Sequence, residues 1–533
     1  MLQLFIFAWC IRTIKSILFW LYLWQLKEYH IPRFIDHFRT HKGKQIFFNA
    51  LYGLKIVAMA LLAKGFSLAA FLMLLLLYSA EAALFLRSVV TGRYLRPKST
   101  LKTVLLSAVS LFGFLAVAGV LTVFVGSYGT FAKAAVLLDI LTPFLVTGVV
   151  LGIQPFFVLA RMRILEKAAR KLRNHKNLLV IGITGSYGKT STKEFLTTIL
   201  SAKHNVIATS EHKNSEIGIA QTILEDVKPG HEIFIVEMGA YRKGGIKLLC
   251  DMVKPKIGVV TGVNEQHLAL FGSLENLLSA EGGRELAAAL PGDGWLAVNG
   301  ENRHCVDLYK KFTGRKKIYT EHKGKIDADI WAEEVEVEKE GISFIVHYFQ
   351  KEMLHISAGV LGRQQVQNLL GAILVARELD MGLEQIANAC KRITQEQGGM
   401  TLKTGAHGLQ VIDSSYSSNP DGVMADLDYL SVFPGKRVIV MPCLIELGLM
   451  SEKIHYEIGQ KIAQVCDIAI ITTRDQFEKM KKGALAGGMK ENQILLCDKP
   501  QEIFHHITTM CKEGDTVLLE GRVPGEVIKL LKV

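Results

Sequence analysis

The chain has 533 residues, half of them hydrophobic and 21% charged, with a mean hydropathy of +0.26 and a net charge of +12. At roughly 100–200 residues per domain this length suggests two to four domains. Residues 1–176 hold 22 Lys and Arg against 5 Asp and Glu, whereas the rest holds 40 against 45. The excess positive charge therefore belongs to an apolar N-terminal third, which excludes a nucleic-acid-binding reading built on charge alone. The cysteines (Cys10, Cys250, Cys305, Cys390, Cys443, Cys466, Cys497 and Cys511) are scattered without a CxxC pair. They read as buried thiols in a reducing compartment, not as a disulfide framework or a zinc site.

In chain order, the first 25 residues are apolar but carry Arg12 and Lys15. No small-residue cleavage site follows, which argues against a signal peptide and leaves either a span over 3–25 or a helix lying at the membrane interface. Phe47–Leu62, with Lys55, reads as the first arm of a hairpin with Gly65–Leu86, whose one charge is Glu81. Thr103–Ala132 runs for 30 positions without a charge, and Ala134–Ala160 is broken only by Asp139. About 20 apolar residues cross the hydrocarbon core, so residues 1–176 are expected to form four or five transmembrane helices. Lys27–Lys44, Arg87–Lys102 and Arg161–Lys176 are rich in Lys and Arg, and the links near Lys64 and Lys133 are not. The positive-inside rule then predicts a multi-pass protein of the cell membrane with its globular part in the cytoplasm. The basic loops would attract anionic membrane lipid. Lys55, Glu81 and Asp139 mark either an intramembrane polar site or plain helix contacts and snorkelling.

After the last basic segment, Asn177–Ile183 reads as a buried strand. It leads into Thr184-Gly185-Ser186-Tyr187-Gly188-Lys189-Thr190-Ser191 and then a helix ending near Leu200. Strand, glycine loop and helix aim backbone N–H groups and a helix N-terminus at phosphates. Gly185, Ser186, Tyr187, Gly188, Lys189, Thr190 and Ser191 are thus the nucleotide-binding candidates, with Lys189 on the β/γ-phosphates and Thr190 on Mg²⁺. Ile183 stands at the first glycine position of the strict GxxxxGK[ST] pattern, which is therefore not met. Glu237 ends the apolar run Ile233–Val236, a place suited to holding Mg²⁺ or its water. His267 follows the run Ile257–Val263, at the same sheet edge as the loop, where parallel α/β sheets bind ligands.

Farther on, Asp327–His355 alternates like a hairpin, and Gln365–Leu379 reads as a helix. Strands are expected at Gly408–Ile412, Arg437–Met441, Ile468–Thr472 and Thr516–Leu519, with helical stretches between them. They make a second, Rossmann-like parallel sheet. The expected class is an α-helical transmembrane region over 1–176 followed by two α/β domains, 177–397 and 398–533.

The loop TGSYGKTSTKEFL resembles that of the Mur ligases, which join an amino acid or peptide to a carboxylate using ATP. The likeness is strongest to the MurF branch, which adds D-alanyl-D-alanine. It continues through Asn214-Ser215-Glu216-Ile217-Gly218, Ile235-Val236-Glu237-Met238-Gly239-Ala240, Asn264-Glu265-Gln266-His267-Leu268 and Phe271-Gly272-Ser273-Leu274. It then takes in Asp413-Ser414-Ser415-Tyr416-Ser417-Ser418-Asn419-Pro420 and Glu446-Leu447-Gly448. The resemblance covers about residues 177–533. It implies a central P-loop ATPase-like domain, a C-terminal Rossmann-like domain, and an ATP- and Mg²⁺-dependent ligase acting through an acyl phosphate in peptidoglycan precursor synthesis. By the same resemblance Lys189, Glu237, His267 and Asp413 are catalytic, and Thr190, Glu237 and His267 hold metal. Asn299 lies near the adenine, and Asn214, Ser215, Tyr416 and Asn419 bind substrate. The partners implied are a peptide or amino-acid substrate and a carboxylate acceptor, with no nucleic acid.

The chain also departs from the family. Leu278–Leu286 lacks the lysine, carbamylated in several members, that follows the FGS motif; Glu281 could supply a carboxylate there. The family's histidine is replaced within Gly362–Asn368, its arginine is absent from Gln397-Gly398-Gly399-Met400, and Glu520-Gly521-Arg522 stands where lysine-glycine-serine is frequent. The membrane segment also replaces the uridine-nucleotide-holding domain of MurF. That suggests a lipid-linked or membrane-proximal acceptor, with simple anchoring as the equal alternative. Two other readings stay open: a ligase for another membrane-associated peptide or polymer, and a degenerate ATP-binding membrane scaffold.

Overall fold

The computed structural model describes residues 1–64, 67–124, 127–210, 213–324, 327–349, 352–416 and 418–533. Ser417 of the Asp413–Pro420 motif and the Gly65 start of the second apolar arm lie outside the described residues. The chain divides into two units, Met1–Met162 and Arg163–Val533.

The apolar runs of the first unit become α1 (Leu2–Leu26), α2 (Ile31–His37), α3 (His41–Phe47), α4 (Ala50–Ala63), α5 (Ser67–Val90), α6 (Leu101–Phe124) and the first part of α7 (Tyr128–Arg173). Five stretches among the described residues are long and apolar enough to cross a membrane: Leu2–Leu26, His41–Ala63, Leu68–Val90, Leu101–Val123 and Tyr128–Arg173. The first is one unbroken helix of 25 residues, about 37 Å at ~1.5 Å per residue, so its length suffices for a span. The arm predicted over Phe47–Leu62 is broken instead. Phe48 and Asn49 leave helical geometry, and Asn49 Oδ1 caps α4 by accepting from the Tyr52 N–H at 3.1 Å. Aromatic side chains bind the bundle: Phe5, Trp9, Phe71, Tyr78 and Phe131 share one core, and Trp24 stacks on Phe34 with centroids 3.9 Å apart. The outward positions stay apolar, with Leu76, Phe112, Val123 and Phe156 all exposed.

In the second unit, a nine-stranded sheet has the order β2-β3-β1-β4-β5-β6-β7-β8-β9. Its strands are β1 (Leu179–Thr184), β2 (Val206–Ala208), β3 (Ile233–Glu237), β4 (Ile257–Val260), β5 (Trp295–Asn299), β6 (Arg315–Thr320), β7 (Ile330–Val337), β8 (Ile342–Tyr348) and β9 (Glu352–Ala358). The pairs from β2 to β7 are parallel and the last two antiparallel. β1 and β3 are apolar on both sides because both faces are covered. Ile181, Ile183, Ile233 and Ile235 join one core layer, and Val180, Phe234 and Val236 join the other. The predicted hairpin is thus a three-stranded meander. Along β8, buried and half-buried residues alternate, as for a sheet with one solvated face. The helix predicted over Gln365–Leu379 runs Gln365–Glu378.

A six-stranded sheet follows, ordered β10-β11-β15-β12-β13-β14. It comprises β10 (Thr401–Thr404), β11 (Gln410–Ser414), β12 (Arg437–Met441), β13 (Ile468–Ile471), β14 (Ile494–Leu496) and β15 (Thr516–Glu520). It is parallel except for β10, an antiparallel edge strand that the sequence pattern did not indicate.

Candidate active site

β1, β3 and β4 end side by side, with Ile183 paired to Glu237 and Thr184 to Val260. At that edge the loop Gly185–Gly188 turns into helix α8 (Lys189–Leu200). Gly188, the cap residue, sits at φ 74°, a left-handed conformation that favours glycine. A Cβ at Gly188 would also collide with Oδ1 of Asn368, which the helix Gln365–Glu378 delivers. Lys189 Nζ lies over the loop and donates to the carbonyls of Gly185 and of Ser186, the latter at 3.3 Å. Tyr187 is held beneath it: its hydroxyl accepts from Asn302 Nδ2 at 3.2 Å, its carbonyl from the Thr261 hydroxyl. Burial, reinforced by Asp421, pushes the Tyr187 phenol well above its usual range. Ser191 donates to the Gly398 carbonyl at 3.3 Å.

Glu237, 5% exposed, is the most connected group of the edge. Its Oε1 accepts from the Thr190 hydroxyl at 3.1 Å and from Asn214 Nδ2 at 2.9 Å, and its backbone N–H donates to Thr209 Oγ1 at 3.0 Å. Lys193 Nζ, fully buried, lies 3.6 Å from Oε2 and donates to the Thr209 carbonyl at 2.9 Å. Sequence reasoning missed Lys193 and Thr209. Lys193 carried a signal, since it stands three residues after Thr190 on the same face of α8. A carboxylate beside a hydroxyl is an oxygen-donor pair that fits Mg²⁺, which takes one or two carboxylates and completes its shell with phosphates and water. Among the described residues no group of three His, Cys, Asp or Glu forms a metal cage, and Mg²⁺ does not require one.

A second carboxylate faces the loop. Glu281, 2% exposed, accepts from the Ser186 hydroxyl at 2.7 Å and pairs with His267 Nδ1 at 2.8 Å. Burial alone would raise the Glu281 carboxyl, but His267, Lys189 and the Ser186 hydroxyl outweigh it and hold it below the usual carboxylate range. With Nδ1 engaged by a carboxylate, the His267 ring is oriented with Nε2 at its other end, the arrangement common among metal-binding histidines.

The remaining candidates divide. Asn214 joins Glu237, whereas the Ser215 hydroxyl caps the helix α9 (Glu216–Glu225), accepting from the Gly218 N–H at 3.3 Å. Ser215→Ala is therefore expected to cost about 1 kcal/mol of stability with nucleotide affinity unchanged, measurable by denaturant titration beside nucleotide binding. The Asn299 side chain is engaged inside the protein: it donates to the Thr261 carbonyl and Gln367 Oε1, both at 2.8 Å, and accepts from the Glu301 N–H at 2.9 Å. Asn419 caps the helix Pro420–Leu430 and meets Asn264, whose Nδ2 donates to Asn419 Oδ1 at 3.0 Å and to Asp421 Oδ2 at 2.8 Å. The loop that follows β11 in the second sheet's domain is thereby tied to the segment that carries His267. Asp413 Oδ1 accepts from the Ser415 N–H at 3.0 Å in a local turn, and Tyr416 is 55% exposed.

Comparison with known proteins follows this division. Residues 183–376 match the Mur ligase middle domain and residues 399–523 the Mur ligase glutamate ligase domain. The chain is 30% identical over 292 residues to UDP-N-acetylmuramoyl-tripeptide–D-alanyl-D-alanine ligase of Synechocystis, covering 54% of this chain and 60% of that protein. It is 27% identical over 281 residues to the enzyme of the same name from Escherichia coli K12, covering 53% and 61%. The chain thus spans about 60% of the length of these relatives. Among solved structures it is similar to the MurF ligase of Thermotoga maritima in complex with ADP, with a TM-score of 0.61 and 25% identity over 70% of this chain and 83% of that one. The part beyond the apolar helices has the α/β fold of MurF, and through its middle and C-terminal domains the chain belongs to the Mur ligase family.

Proposed function

We propose that this protein is a membrane-anchored, ATP-dependent amide ligase of the MurF kind, acting in peptidoglycan precursor synthesis with its ligase domains in the cytoplasm. The observation that carries the reading is the convergence of Lys189, Thr190, Asn214 and Glu237, with the Ser186–Glu281–His267 chain, on the edge where β1, β3 and β4 end. In this reading residues 1–176 are the membrane region, 177–397 a P-loop ATPase-like domain and 398–533 a Rossmann-like domain. The five apolar helices and their apolar outward faces support insertion, and the basic segments support the orientation.

ATP would lie along the Gly185–Gly188 loop, its phosphates facing the loop amides and the start of α8. Lys189 would swing from the loop carbonyls onto the β/γ-phosphates. Mg²⁺, held by Thr190 and Glu237 with His267 as a further ligand, would neutralise charge on the transferring phosphoryl group. A carboxylate oxygen of the acceptor attacks the γ-phosphorus and ADP leaves. The amine then attacks the acyl carbon of the acyl phosphate, a proton leaves the nitrogen, and phosphate departs. Positioning and electrostatic stabilisation do most of the work in such transfers. Asn214 and Lys193 orient Glu237; Asn419, tied to Asn264, sets the second domain's loop beside the His267 segment, where Asp413 and Tyr416 would receive the amine.

The test is ADP release by the detergent-purified full chain with Mg·ATP. UDP-linked and lipid-linked muramoyl tripeptides are supplied separately, each with and without D-Ala-D-Ala. Release that needs both an acceptor and the dipeptide is expected, and the carrier preferred identifies the acceptor. ATP binding without turnover on either carrier, and without a new amide product in membrane extracts, would overturn the ligase reading in favour of a scaffold.

A further inference from the structure

Two buried carboxyl groups of the second sheet's domain face each other with no base between them. Asp426, on the helix Pro420–Leu430, is 4% exposed, and Glu520, the last residue of β15, is 1% exposed. They lie within hydrogen-bonding range of each other, with the Ser414 and Ser418 hydroxyls beside Glu520. Strand pairing sets up this meeting. Ser414 stands opposite Glu520 in the β11–β15 register, and its hydroxyl donates to Asp426 Oδ2 at 2.5 Å. A further partner comes from the first sheet's domain: Gln364, just before the helix Gln365–Glu378, donates through Nε2 to Asp426 Oδ1 at 3.0 Å.

Two carboxyl groups sharing one buried site do not both ionise. Burial raises both, and the Asp426 charge raises Glu520 further, so Glu520 keeps its proton and donates it to Asp426. In agreement, Glu520 Oε2 accepts from no donor among the described residues. The basic groups of the surrounding elements serve elsewhere: Arg363 pairs with Glu321, Lys461 pairs with Asp428, and Arg522 is exposed. Of the other acids nearby, Asp421 accepts from Asn264 and Asp413 from the Ser415 N–H. As a carboxylate, Asp426 thus collects the Ser414, Gln364 and Glu520 donors, and such charge-assisted bonds are about twice as strong as neutral ones.

The place of this group in the fold gives it a use. Ser414 and Ser418 belong to the loop that carries Asp413, Tyr416 and Asn419. From the segment that carries His267, Gln266 Nε2 donates to the Ser418 carbonyl at 2.9 Å and Asn264 Nδ2 to Asn419 Oδ1 at 3.0 Å. The first sheet's domain therefore grips this loop twice, through Asn264 and Gln266 and again through Gln364 by way of Asp426. We propose that Asp426 and Glu520 are positioning residues: the proton they share closes a clasp on Gln364 that holds the loop against the first sheet's domain for attack by the amine. The positioning role rests on the ligase reading above, whereas the clasp itself does not.

The test compares the full chain in detergent with Glu520→Gln, Glu520→Ala and Gln364→Leu across the neutral and alkaline range. ADP release and melting temperature are both read. A carboxyl raised by folding stabilises while protonated, and that contribution is lost as pH rises through its folded value. Glu520→Gln keeps a donor for Asp426 but has no proton to lose. The ratio of wild-type kcat to that of Glu520→Gln is therefore expected to fall as pH rises, with KM for ATP unchanged, and the wild-type melting temperature to fall relative to that of the variant. Glu520→Ala removes the donor and should lower kcat by about 10–100-fold at every pH, the usual effect of a small misplacement. Gln364→Leu cuts the link between the domains at a half-buried position and leaves the carboxyl pair intact. It should lower kcat likewise, and it keeps the test decisive if Glu520→Ala fails to fold. A kcat ratio constant with pH, or wild-type kcat in Gln364→Leu, would overturn the positioning role. Parallel melting curves of wild type and Glu520→Gln across pH would overturn the shared proton. A wild-type chain that releases no ADP on any carrier would mark failure of the ligase reading and take the positioning role with it, while the melting series still decides the clasp.

Discussion

Lys189→Ala is expected to lower ADP release by about 10²–10³-fold, the usual effect of removing one preorganised donor from a developing negative charge, while the melting temperature stays unchanged. The two halves of the expectation have separate grounds. Among the described residues the hydrogen bonds of the ammonium group go to the carbonyls of Gly185 and Ser186 at a half-buried position, where water can replace it. Its value therefore lies in the phosphates, not in the fold. Lys189→Arg should recover little, because a planar fork does not substitute for a compact ammonium over a tight loop. Parallel thermal denaturation and ADP-release assays check both halves. A variant that melts early, or one that keeps a tenth or more of the wild-type rate, would refute the assignment of Lys189 to the phosphates.

Glu237→Ala should abolish turnover and also destabilise the protein, by about 1–3 kcal/mol, because it strips a carboxylate from the fully buried Lys193 and orphans the Thr190 and Asn214 donors. Glu194 at 3.0 Å and the Thr209 carbonyl still serve Lys193, which keeps the cost below that of a wholly unpaired buried charge. Adding Lys193→Met to Glu237→Ala should return part of the lost stability, since removing both partners of a buried pair is far cheaper than removing one. Activity should not return, because the carboxylate proposed to hold Mg²⁺ is still missing. Denaturation midpoints of the two single variants and the double variant decide the matter. A double variant no more stable than Glu237→Ala would mean that Lys193 and Glu237 are uncoupled, and that Lys193 does not position the carboxylate.

Much of the site was legible because it is built on strand ends. A parallel strand covered on both faces shows as an unbroken apolar run, and β1, β3 and β12 stand out for that reason. The polar residue that follows such a run must lie at the sheet edge, which places Gly185 and Glu237 together before any coordinate is known. The partners of those residues were harder to see. Glu281 reaches His267 across 14 residues and Ser186 across 95, and Asn264 reaches Asn419 across 155. No local period encodes such separations. Ser215 and Asn299 show the reverse limit: a motif position names a residue, but only its hydrogen bonds tell a cap or an internal brace from a ligand contact.

By itself the sequence determined the apolar helical third, the alternating strands and helices after it, and the glycine loop with its lysine and threonine. These follow from local hydrophobic period and backbone conformation, which are properties of neighbouring residues. The tertiary structure alone decided that β10, a strand without an apolar face, would pair at an edge, and that the arm before Lys55 would break at Phe48 and Asn49. It also decided that Arg12, Lys55, Glu81 and Asp139 would meet rather than face four different neighbours. The reason is common to all three: a buried charge or an unpaired backbone group is tolerable only beside its complement, and the complement comes from a distant part of the chain.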